Sequence, residues 1–118
     1  MNIEKLKASQ IDYDMGLYRF MNNVSLYEGL LKEFVTDNEY ISAKSAYERK
    51  DYQAMFKNLH AMKGATGNLG MNTLYKSTCE LVEILRHEDY EHIDKPYLKV
   101  QEEYATVIKG ITDACDET

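Results

Sequence analysis

Through most of this chain apolar residues recur at three- and four-residue steps, a spacing that gathers them on one face of successive helices. A short helix is expected over Asn2 to Lys7. Asp12 can cap a second one that ends near Asn22-Asn23, and the two read as a lid on the main body. From Val24, the positions Tyr27, Leu30, Leu31, Phe34 and Ile41 keep the helical period up to Arg49, which predicts one long helix with a weak, kink-prone stretch at Thr36-Asp37-Asn38. Asp51 is placed to cap the next helix. Its apolar face is Tyr52, Met55, Phe56, Leu59, Met62, Thr66 and Leu69, and Gly70 reads as its stop.

Asn72 then offers a cap to a helix that turns Leu74, Thr78, Leu81 and Leu85 inward, and residues 86–92 read as a polar loop. The last helix opens at Ile93-Asp94-Lys95-Pro96, with Asp94 as cap, Pro96 in a tolerant first turn, and Ile93 and Leu98 spaced as a hydrophobic staple. Its seam of Ile93, Tyr97, Val100, Tyr104, Val107 and Ile111 suits left-handed bundle packing. Four main helices with short connections predict an all-α fold: an antiparallel up-and-down four-helix bundle with short N-terminal helices capping it.

Composition narrows this further. At 118 residues and 13.7 kDa, residues 1–118 make one helical domain with one core. A single Pro, six Gly and no Trp leave few strand punctuators, and ten Tyr supply much of the apolar area. The net charge of −6 is uneven, since eleven of the twenty acidic residues lie in 80–118. With no clustered Lys/Arg face, nucleic acid is not an expected partner. No stretch has the length and apolarity of a signal region or a membrane span, so no membrane is expected and the cytoplasm is the expected compartment. Cys79 and Cys115 fit no metal-ligand or redox spacing and are read as two reduced thiols. His87 and His92 share no helical face, so no metal site is expected, and a monomer is the expected state.

The chemistry concentrates in His60-Ala61-Met62-Lys63-Gly64-Ala65-Thr66-Gly67. On a helix His60, Lys63, Gly64 and Gly67 fall at i, i+3, i+4 and i+7 and share one stripe. At about 100° per residue, His60 points roughly 115° from the apolar face, at or near solvent. Each interior Gly costs a helix about 0.8–1 kcal/mol against Ala, so two of them beside one imidazole describe a clearing kept open for an approaching partner. A neutral imidazole can accept a phosphoryl group, and a Lys one turn along can screen the charge that then develops. Lys63 is assigned that charge-stabilising role, and Gly64 gives partner access. Lys57, Ala61, Gly64, Gly67 and Asn68 form the expected docking surface around the ring.

His60-Ala61-Met62-Lys63-Gly64 followed by Asn68-Leu69-Gly70 resembles the H-x-x-K-G…N-L-G signature of histidine-containing phosphotransfer (HPt) domains. Gly16-Leu17-Tyr18-Arg19-Phe20, Leu26-Tyr27, Leu30-Leu31, Phe34, Asp51 and Leu74 are also similar to that family's pattern, which extends the resemblance over nearly the whole chain. The resemblance implies that His60 is a phosphoacceptor, taking a phosphoryl group from the aspartate of one receiver domain and passing it to another. The receivers belong to response regulators or hybrid histidine kinases, and Mg²⁺ comes from the receiver, with no cofactor in this chain. Several members carry a polar Gln or Glu on the following helix to hydrogen-bond the imidazole. The same spacing here falls on Val82, with Glu83 adjacent.

No GxxxxGK[ST] or other Gly-rich nucleotide loop is present, so the chain is expected to move a phosphoryl group without being an enzyme that binds or hydrolyses nucleotide. Two other readings remain open. One is a chemotaxis-kinase-like phosphotransfer domain phosphorylated by a separate ATP-binding kinase domain, and the other is a non-catalytic helical interaction module.

Overall fold

The computed structural model describes residues 1–116, and all of its regular structure is helical. Seven α-helices succeed one another: α1 (Ile3–Ala8), α2 (Tyr13–Arg19), α3 (Val24–Thr36), α4 (Glu39–Glu48), α5 (Tyr52–Asn68), α6 (Asn72–Arg86) and α7 (Asp94–Asp116). Several begin where a short polar side chain accepts an otherwise orphaned amide. Asn2 accepts from Lys5 N at 3.1 Å, Asp12 from Met15 N at 3.1 Å, Asn23 from Leu26 N at 3.0 Å and Asp51 from Ala54 N at 3.2 Å.

Several expectations, most of them at helix ends, need correction. The long helix over Val24 to Arg49 is two helices, because Asp37 is extended (φ −68°, ψ 137°) and its carboxylate accepts the amide of Glu39 at 2.7 Å. That local bond offers the backbone an alternative to the helical ladder. The break also re-phases α4. Ile41 stands 61% exposed, and the helix buries Tyr40, Ala43 and Ala46 instead. At the start of α6 the cap position belongs to fully buried Met71, and Asn72 is the first helical residue. Tyr90–His92 form a 3₁₀ turn inside the expected loop. Asp94 lies within the first turn of α7, where its carboxylate accepts the phenol of Tyr47, and Leu98 is 52% exposed, too far out to staple Ile93.

Each long helix from α4 onward packs on the next, while α1 and α3 pack on α7. Much of each expected inward face is buried: Met55, Leu59, Met62 and Thr66 from α5, where Tyr52 and Phe56 are only half-buried; Leu74, Thr78, Leu81 and Leu85 from α6, joined by Ser77 and Val82; Tyr97, Val100, Val107 and Ile111 from α7. Tyr104, on the same seam of α7, is half-buried. Stacked tyrosines fasten α4 to α7, with Tyr40 on Tyr104 (centroids 3.9 Å apart) and Tyr47 on Tyr97 (3.8 Å).

The N-terminal helices are held at the corner between α5 and α6. Gly70 has φ +79°, a left-handed conformation that L side chains resist, and a Cβ there would lie 2.5 Å from the carbonyl oxygen of Asp12. That approach lets Asp12 N donate to the Gly70 carbonyl at 2.7 Å. Beside it the buried Tyr27 phenol donates to the Leu69 carbonyl at 2.7 Å, and its ring occupies the space that a side chain on Gly16 would need. These bonds carry α2 to the C-terminal end of α5.

Candidate functional site

His60 lies on α5 with its side chain exposed, as helix geometry requires for a residue off the apolar face. Among the described residues its imidazole makes no hydrogen bond or ion pair, and one ring contact holds it. Phe56, one turn earlier on α5, stacks on it with centroids 5.8 Å apart and 13° between the planes. The Arg86 guanidinium covers the same phenylalanine, 5.5 Å from the ring centroid, and its Nε donates to Glu83 Oε1 at 3.1 Å. A side-chain stack running from α6 to α5 therefore ends on the imidazole.

That stack is the ring's one side-chain contact among the described residues. Val82 is fully buried in the core, and Glu83 faces Arg86 and His87, whose Nε2 is 3.6 Å from its carboxylate. Neither residue supplies a hydrogen bond to His60. Phe56 reads in the sequence as part of the apolar face, but it is only half-buried. The signal that could have marked it is its i−4 spacing from the histidine, which makes the two side chains neighbours on the helix surface.

On the other side of the ring lies an open cleft of about 350 Å³, lined by Arg19, His60, Lys63, Gly64, Gly67, Asn68, Asn72 and Tyr75. All four members of the predicted stripe meet in it, together with Asn68. The two glycines do different work. Nothing lies within 4 Å of where a Cβ on Gly64 would be, so its missing side chain leaves surface open to an approaching molecule. A Cβ on Gly67 would come within 3.2 Å of the Tyr75 ring, so that glycine seats a neighbour from α6. Gly67 is accordingly half-buried, whereas Lys57, Ala61, Gly64 and Asn68 are exposed.

Three members of the cleft come from outside α5. Tyr75 and Asn72 belong to α6, and Arg19 ends α2, within the segment that reads in the sequence as a lid. The Cys79 thiol beside Tyr75 pushes its phenol above the ordinary tyrosine value, while the charge of Arg19 pulls the other way. No helical period along α5 could point to these residues, because tertiary packing brings them there.

The remaining histidines stand apart. His87 sits just past α6, and His92 in the 3₁₀ turn has Nδ1 2.8 Å from Asp89, a carboxylate that raises its pKa. Among the described residues no group of three or more His, Cys, Asp or Glu side chains is arranged to hold a metal ion, and no helix is long and apolar enough to cross a membrane. Cys79 and Cys115 are not joined in a disulfide. Comparison with protein-family models, with curated proteins and with solved structures finds no match to this chain.

Proposed function

We propose that this protein is a phosphorelay intermediate of the histidine-containing phosphotransfer kind. The observation that carries the reading is an exposed His60 imidazole free of hydrogen bonds, beside the open surface at Gly64. A nucleophile that must meet the active site of another protein needs both accessibility and an unobstructed line of approach. Lys63, half-buried on the same stripe, supplies a cation next to the developing charge. On this reading α3 and α4 act as one interrupted helix, and with α5, α6 and α7 they form an antiparallel up-and-down four-helix bundle with α1 and α2 as its cap.

In the transfer, a ring nitrogen of neutral His60 attacks the phosphorus of an aspartyl phosphate on a receiver domain. The acyl P–O bond breaks, the carboxylate leaves with the electron pair, and the N–H proton of the other ring nitrogen passes to solvent. The reverse sequence delivers the group to a second receiver. Lys57, Ala61, Gly64 and Asn68 form the face the receiver meets, and the receiver brings the Mg²⁺.

The test is incubation with a panel of phosphorylated receivers from the same organism, with His60→Gln as control. An acid-labile, base-stable phosphate on the wild type that is absent from His60→Gln supports the proposal. Labelling that survives His60→Gln, or no labelling by any receiver, refutes it. Labelling only with ATP and a separate kinase domain supports the chemotaxis-kinase-like alternative.

A further inference from the structure

The cleft beside His60 departs from the charge of the rest of the molecule. The chain has twenty acidic residues against fourteen Lys and Arg, yet the eight residues around this cleft include two cations and no carboxylate. The remaining polar groups there are the two asparagine amides and the Tyr75 phenol. Neither cation is neutralised. Lys63 makes no ion pair among the described residues, and Arg19 donates only to the thioether of Met15, at 3.8 Å. A thioether is a weak acceptor, so the guanidinium is left with its strong donors unspent. The other two arginines are committed, Arg86 to Glu83 and Arg49 to the Ser45 carbonyl.

Such an arrangement fits a tetrahedral oxyanion. Guanidinium presents a planar fork of N–H donors that matches phosphate oxygens better than an ammonium does. Amide and phenol donors supply neutral hydrogen bonds without adding charge. The two glycines keep the floor low, and the packing of Tyr75 over Gly67 fixes one wall.

We propose that Arg19 is a second phosphoryl-binding residue of this protein, receiving the oxygens of the group on His60 from the α2 side while Lys63 receives them from α5. The proposal rests on the phosphotransfer reading of His60. It also gives the Asp12 and Gly70 tie a purpose, since that corner holds α2 against the end of α5, where Arg19 and His60 line the same cleft. The class of ligand is a phosphoryl or free phosphate dianion.

The experiment uses a small donor so that no receiver interface is involved. With phosphoramidate, a ring nitrogen of His60 attacks phosphorus, the donor P–N bond breaks, and ammonia leaves with the electron pair. The N–H proton on the other ring nitrogen goes to solvent. Labelling rate and phosphohistidine half-life are measured for the wild type, Arg19→Gln, Arg19→Lys and Lys44→Gln, the last an equal charge change on the exposed face of α4. Orthophosphate is titrated in parallel, following the Arg19 Nε–H and His60 ring resonances.

Arg19→Gln is expected to label about tenfold more slowly than the wild type, less than the loss seen when a buried oxyanion donor is removed because this cleft is open. Arg19→Lys should recover part of the rate, Lys44→Gln should match the wild type, and orthophosphate should move both resonances. Equal rates and half-lives for Arg19→Gln and the wild type overturn the Arg19 assignment and leave the phosphotransfer reading standing. If no receiver labels the wild type, the phosphotransfer reading fails, and if phosphoramidate does not label it either, the role of Arg19 falls with it. The orthophosphate titration then decides whether the cleft binds phosphate at all.

Discussion

The Phe56 ring lies nearly parallel to the His60 imidazole, 5.8 Å away and one turn earlier on α5, and Arg86 covers Phe56 from α6. Aromatic pairs of this kind are worth about 0.5–1.5 kcal/mol, enough to bias an exposed ring toward one orientation. Phe56→Ala is expected to slow transfer from a phosphorylated receiver by about threefold to tenfold, the same energy expressed as a rate. Phe56→Tyr, which keeps the stacking face, should restore it. The His60 ring resonances, shifted by the neighbouring aromatic in the wild type, should move toward random-coil values in the alanine variant. Unchanged resonances would show that the stack does not orient the ring.

Gly64 sets helix stability against access. With nothing within 4 Å of its missing Cβ, Gly64→Ala introduces no clash, and it gains about 0.8–1 kcal/mol of helix propensity. The variant should therefore melt a few degrees higher than the wild type while accepting phosphoryl from a receiver about tenfold more slowly, because the methyl group stands in the line of approach. Thermal melting and transfer kinetics on one preparation test both halves.

Gly70 should tolerate nothing else. Alanine there must hold φ near +79° and place its Cβ 2.5 Å from the Asp12 carbonyl oxygen, a backbone atom with little freedom to move. Left-handed strain and overpacking together predict a loss of about 2–4 kcal/mol in urea unfolding for Gly70→Ala.

Alkaline pH should destabilise the fold. Burial, followed by its hydrogen bond to Glu28, raises the Tyr13 phenol to about 12, and the bond to Asp94, followed by burial, raises Tyr47 to about 12. Unfolded tyrosine ionises near ~10. A raised folded pKa means that the native state holds its proton more tightly, so this stabilisation is complete below pH ~10 and is lost as the pH climbs toward 12. Melting temperatures should be flat from pH 7 to about 9 and fall beyond ~10, and Tyr13→Phe should flatten that fall.

What could be read from sequence divides by the distance over which each feature is determined. Asp12 and Asp51 cap their helices because the bond closes within three residues. The stripe of His60, Lys63, Gly64 and Gly67 lines one cleft because a single helix places them. The helical period misplaces Ile41 because a two-residue break at Asp37-Asn38 shifts the phase of everything up to the next cap. Arg19 and Tyr75 enter the cleft from α2 and α6, and nothing in the reading of Val82 shows that the imidazole's ring contact is Phe56. The entry of Arg19 and Tyr75 comes from packing, which no window along the chain contains, whereas the Phe56 contact follows from its i−4 spacing on α5.

The bond between Asp12 and Gly70 also bears on how the cleft is put together. α5 is held by bonds between near neighbours in sequence, whereas the cleft beside His60 also draws residues from α2 and α6. Arg19 reaches it only after the chain closes on itself between residues 12 and 70, a step that must overcome loop-closure entropy before any contact rewards it. One helix therefore presents His60, while the cleft beside it is complete only in the closed chain.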